Sequence, residues 1–265
     1  MKEERNKRKM ADKMSSFVRA FIPRFVPNLW VLAGMDLLKG FGLSKSRIRR
    51  NREYNRDLKA EEGSLYRPGQ FIENQAEWTG VRFGSKYDMA YSGCEIIATY
   101  NALLALGEKL TFEDMVELIG SYERKGAVLK GAFGVAPCAV SRYLKDRGYR
   151  VTNTRRKDRN TLVSMGKCSD TMILTVYNDR KDITGQIHTV CVTKDENGEY
   201  LLHNAFWRNR EGRFESCGPY RTVGEVIKAI SHGEAEVIYA MGIGSGTKTI
   251  AERQPYGKQS DKAET

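Results

Sequence analysis

The chain has 265 residues and a formal net charge of +11, with 40% hydrophobic and 10% aromatic side chains. That content excludes wholesale disorder, and the length suits one well-filled domain with tails. Residues 1–60 hold 16 of the 44 basic and 6 of the 33 acidic side chains, leaving 28 and 27 in the remainder, so a basic arm precedes a nearly neutral body.

Residues 1–13 read as a solvated charged tail, and no clean apolar core with a small-residue cleavage site follows them, so a secretory signal is not expected. From Met14 to Leu43 an apolar stretch carries Phe17, Phe21, Phe25, Leu29 and Trp30 at helical spacing, with Pro23 and Pro27 breaking it into short pieces. Such a basic amphipathic segment either lies at an anionic membrane surface or packs over the domain as an extra layer. Residues 44–59 are dense in Arg and Asn. Runs of this kind can touch phosphates but are more commonly solvated linkers, so nucleic acid is not the favoured partner. An anionic membrane or a partner protein is the expected ligand of residues 14–59. The domain is expected to cover residues 62–243, after an arm at 1–61 and before a tail at 244–265.

Within the body, Cys94 to Leu106 reads as a helix with Ile96, Ile97, Tyr100, Leu103 and Leu104 as its apolar stripe, stopped by Gly107. Thr111 and Asp114 predict a capping-box start for a second helix, and a third spans about 136–147. Strands are predicted at 171–178, 186–193, 199–206 and 235–243, with a helix at 222–230. Helices followed by an antiparallel sheet give an α+β fold class.

Five scattered cysteines without a CxxC pair suit reduced thiols in a cytoplasm-like compartment. A zinc site would have to draw on His188, Cys191 and Cys138, and neither metal nor cofactor is expected.

Three residues combine into chemistry. Cys94 opens the first long helix of the body, where the dipole and free N–H groups stabilise a thiolate. His188 lies 94 residues later in a strand, and Asn204 follows after another 16. A thiol nucleophile needs a base and a group to hold that base in the right tautomer. A three-residue turn with Gly198 in the left-handed conformation pairs Asp195 with Glu199, which places His188 and Asn204 on one face as diagonal neighbours. A two-residue turn would put Asn204 on the other face.

The stretches YSGCEIIATYNALLALG (91–107), GAFGVAPCAVSRYLKDRGY (131–149) and IHTVCVTKDENGEYLLHNAF (187–206) resemble bacterial C39-like cysteine peptidases of the wider papain-like group. The resemblance covers roughly residues 70–243. It implies a papain-like fold with N-terminal helices packed on a mainly antiparallel sheet, a nucleophile at Cys94, a base at His188 and a third triad residue at Asn204. It also implies a Gln donor to the oxyanion, for which Gln75, 19 residues before Cys94, is the candidate. Trp207 would shield the His–Asn bond. The expected activity is hydrolysis of a peptide or protein substrate through an acyl-enzyme. Acyl transfer to an amine is the variant on the same machinery, and a weakly catalytic binding module is the alternative. Glu95 is read as favouring the helix dipole, and Cys138, Cys168, Cys191 and Cys217 as small apolar fillers. His203 and His232 are read as packing or surface histidines.

Overall fold

The computed structural model describes residues 28–39, 42–58, 66–156, 158–177, 187–230 and 236–246. Its helices are α1 (Asn28–Leu38), α2 (Lys45–Asp57), α3 (Met89–Ser92), α4 (Cys94–Ala105), α5 (Phe112–Lys125), α6 (Pro137–Asp146), α7 (Arg159–Lys167) and α8 (Val223–Ala229). Its strands are β1 (Arg82–Phe83), β2 (Tyr87–Asp88), β3 (Arg150–Thr154), β4 (Thr171–Tyr177), β5 (Ile187–Lys194), β6 (Tyr200–His203), β7 (Cys217–Tyr220) and β8 (Glu236–Gly244). The last six strands form one antiparallel sheet in the order β3-β8-β4-β5-β6-β7. The class is α+β, as the order of elements in the sequence implies.

The sheet is covered on both faces, which explains why TMILTVY reads as an unbroken apolar run. Alternate residues serve two cores. Ile173, Cys191, Met241 and Ile243 pack with α4, α5 and α6, whereas Leu174, Val176, Val190 and Val192 pack with Leu162 of α7 and Val223 and Val226 of α8. Helix α4 is buried on every side from Cys94 to Leu103, so it is a central helix rather than one with a single apolar stripe. The capping box of α5 forms as its sequence predicts, with the Asp114 N–H donating to Thr111 Oγ1 at 3.2 Å and the Thr111 N–H donating back to Asp114 at 2.7 Å.

Strand β3 and helix α7 are not read from the sequence; RVTNT is an edge strand with no buried residue.

The basic run at 44–59 is corrected by the structure. Ser44 caps α2, which packs along α5 and β1 and so belongs to the folded body, moving its start well before residue 62. Buried Asn55 closes both backbone hydrogen bonds of Arg82, accepting from its N–H at 2.7 Å and donating to its carbonyl at 2.9 Å. Arg52 and Arg56 pair with Glu117, and Arg56 also with Glu113, so these cations are committed within the chain. Helix α1 is likewise an added layer, with Leu32 and Met35 buried in the main core. Phe17, Phe21, Phe25 and His232 lie outside the described residues. Among the described residues no helix is long and apolar enough to cross a membrane.

One buried carboxyl links α2 to α5. Glu123 accepts from Asn51 Nδ2 and from the Gly84 N–H, and burial raises its pKa from 4.5 to about 7. A carboxyl raised in the folded state costs nothing at pH 4, where both states are protonated. It costs progressively more as pH rises from the unfolded value to the folded one. Glu123→Gln is therefore expected to gain about 3 kcal/mol relative to wild type between pH 4 and pH 8. Urea unfolding of both proteins at both pH values measures this difference, and any constant packing cost of the amide cancels. An equal offset at the two pH values would refute it.

Candidate active site

The nucleophile candidate is set by a compact turn. Asp88 caps α3 by accepting from the Tyr91 N–H at 3.0 Å, and α3 ends after a single turn. Gly93 then allows the chain to restart as α4, because a Cβ there would fall 2.6 Å from the Met89 carbonyl oxygen. Cys94 thus becomes the first residue of a 12-residue helix. The N-terminus of α4 abuts β5, where Cys94 interacts with Thr189, the neighbour of His188.

The thiol is not the low-pKa thiolate expected of that position. Burial, and then the adjacent Glu95, push the Cys94 thiol well above its ordinary range. Its Sγ donates to Glu95 Oε2 at 3.3 Å, the same oxygen that accepts from the Val135 N–H at 3.2 Å. Thr189 Oγ1 donates to the other oxygen at 3.4 Å. Burial raises Glu95 itself to about 7. Glu95, read from the sequence as a dipole partner, is in fact a buried carboxyl in contact with the thiol. Nothing in the spacing of a Glu after a Cys signals this, since the fit depends on the loop at 134–135.

The turn at 195–199 forms as required. The Asp195 N–H donates to the Glu199 carbonyl at 2.9 Å, Gly198 has φ +78, and the ladder runs in the predicted register from Lys194–Tyr200 to Cys191–His203. Strand β6 then stops short of the predicted Phe206, because Asn204 and Phe206 take φ +60 and +55. Asn is among the few residues that tolerate this region, whereas a bulky Phe there is strained.

His188 and Asn204 meet, but through a different atom from the one expected. His188 Nε2 lies 2.7 Å from the Asn204 main-chain oxygen. A carbonyl only accepts, so Nε2 carries the proton and Nδ1 is left with its lone pair, the tautomer of a general base. The Asn204 side chain instead accepts from the Gln75 N–H at 2.9 Å through Oδ1, and the Asn204 main-chain N–H donates to Glu73 at 3.1 Å. Burial lowers the His188 pKa. Phe206 stacks on the imidazole at 5.3 Å, the place expected of Trp207, which is half exposed.

Cys94 and His188 are not joined by a hydrogen bond. Alternation along β5 sends His188 toward the face of Val190 and Val192, and Thr189 toward the face of α4. Gln75 is brought close to the turn before Cys94, yet its Nε2 donates to the Ala90 carbonyl at 3.0 Å rather than presenting a free donor. His203 is buried, bridging Glu73 at 2.6 Å and Thr193 at 2.8 Å. Cys191 and Cys217 are buried as read from the sequence, Cys138 is half buried, and Cys168 is exposed. Among the described residues no three His, Cys, Asp or Glu side chains are grouped to hold a metal ion.

Comparison with known proteins gives no family: no family model, no curated protein and no solved structure matches this chain. The site therefore has to be judged on its own chemistry. A helix-terminal thiol rests on a carboxyl, and the strand it packs against carries, on its other face, an imidazole held in the basic tautomer.

Proposed function

We propose that this chain is a cysteine peptidase of the papain-like, C39-like type, with Cys94 as nucleophile and His188 as general base. The observation that carries the reading is the His188 Nε2 to Asn204 carbonyl contact of 2.7 Å, which leaves Nδ1 basic on the strand that packs against the helix opened by Cys94. In the reaction Sγ leaves Glu95, and the imidazole, one residue from the start of β5, swings round that end of the strand to meet it. Nδ1 takes its proton as Sγ bonds to the peptide carbonyl carbon. The C–N bond breaks, His188 returns the proton to the leaving amine, and water then hydrolyses the thioester to the acid and the free thiol. The Cys94 N–H at the start of α4 supplies one oxyanion donor, and Gln75 supplies a second on release from Ala90.

A second reading has support of its own. The thiol is bonded to Glu95 and the Gln75 amide to Ala90, which suits a papain-fold binding module with weak catalysis. Iodoacetamide labelling near pH 7, resolved by mass spectrometry over the five cysteines, separates the two. The peptidase reading expects Cys94 to react at least 10-fold faster than exposed Cys168, despite its burial, and expects cleavage of a fluorogenic peptide library that Cys94→Ala abolishes. A Cys94 slower than Cys168 would leave the binding module.

A further inference from the structure

Cys94 lines a cavity of about 330 Å³, within the range of small-molecule sites, about 300–1,000 Å³. Its polar side chains come from the junction of α3 and α4, from Tyr91, Ser92, Cys94 and Glu95. The Ser92 hydroxyl is buried there without a hydrogen-bond partner. Among the described residues the rest of the lining is apolar, including Leu129, Phe133, Ile187 of β5, and Trp30, Met35 and Leu38 of α1.

Helix α1 comes from the basic arm, outside the stretch that resembles a peptidase. It is attached by buried Leu32 and Met35 and by a polar clasp in which Cys138 Sγ donates to Asp36 at 2.5 Å and Lys39 donates to Cys138 at 3.4 Å. Toward the cavity α1 presents Gly34, where an added Cβ meets nothing within 4 Å. A helix ordinarily avoids Gly, which costs about 1 kcal/mol relative to Ala. At this position its consequence is open space in the cavity that Cys94 also lines.

We propose that α1 is part of the substrate site, forming one wall of a pocket for a bulky apolar side chain next to the carbonyl that Cys94 attacks. The inference rests on the peptidase reading and adds to it both a specificity and the segment that sets it. A polar junction with an unpaired hydroxyl and an apolar remainder match a ligand whose reacting amide carries an aliphatic or aromatic group. Gly34 leaves room in the α1 wall where any other residue would place a side chain.

The test uses the full chain and N-methyl-, N-butyl- and N-hexylmaleimide, with the second-order rate at Cys94 followed by mass spectrometry. The pocket predicts a rise of up to about 4-fold for each methylene buried, and at least 10-fold from methyl to hexyl. Gly34→Phe, whose Cβ meets nothing within 4 Å, is expected to abolish the rise from methyl to hexyl, with the rates at exposed Cys168, outside the cavity, as the internal control. A wild-type rate independent of chain length, or equal slowing of all three reagents by Gly34→Phe, would overturn the proposal. If Cys94 reacts with none of them, the nucleophile reading fails, and the pocket is judged separately by saturation-transfer NMR with unreactive N-hexylsuccinimide. Binding to wild type but not to Gly34→Phe supports the pocket, and equal or absent binding rejects it.

Discussion

His188→Ala is expected to slow acylation and alkylation of Cys94 at pH 7 by about 10²–10⁴-fold, the contribution of a positioned general base. The pH dependence makes the assignment specific. Burial depresses His188 below its ordinary 6.5, so the imidazole is already neutral at pH 7 and the wild-type rate falls only when pH drops through that lowered value. The variant depends on spontaneous ionisation of a thiol held above its ordinary 9, so its rate climbs with pH through the alkaline range and the gap to wild type narrows. Glu95→Gln supplies the counter-test. Removing a carboxyl that raises the thiol is expected to move the alkylation profile to lower pH. A Glu95→Gln variant that loses its reactivity while His188→Ala keeps it would make Glu95 the proton acceptor and end the case for His188.

The difference between what the sequence revealed and what it hid follows from the range of the interactions. Thr111 with Asp114, Gly198 with Asp195, and the unbroken apolar run of β4 are local, and each element they specify is present. The strand register carried His188 to Asn204 because a turn of known length propagates along a ladder. It could not say which Asn204 atom the imidazole would meet. That depends on a left-handed residue at the strand end and on Glu73 and Gln75 arriving from a loop about 130 residues away in sequence, with separations of 131 and 129. Glu95 was hidden for the same reason, since its partners Val135 and Thr189 lie 40 and 94 residues downstream. The basic run was misjudged because charge density describes solvation, while the counter-charges Glu113 and Glu117 sit on a helix that only the fold brings alongside.

Asn204 gives the other large effect, and here the variant chosen decides what is learned. If the carboxamide orients the base, any truncation of the side chain lowers activity. If the main-chain carbonyl does so, the backbone conformation is what counts. Asn204→Gly keeps the carbonyl and suits φ +60. It is expected to retain activity within about 10-fold per folded molecule, a factor of ten being about 1.4 kcal/mol. Asn204→Ala keeps the carbonyl too but resists that conformation, at roughly 1–2 kcal/mol. Both lose the acceptor for the buried Gln75 N–H, a further penalty of about 1–3 kcal/mol. Ala is therefore expected to be the less stable of the two by urea unfolding, and to lose at least 10²-fold in alkylation rate if β6 relaxes at its end and releases the imidazole. Rates corrected for the folded fraction separate stability from chemistry. A Gly variant as inactive as the Ala variant, with both fully folded, would return the orienting role to the carboxamide. It would also mean that the Asn204 side chain exchanges its Gln75 partner for His188 when substrate is bound.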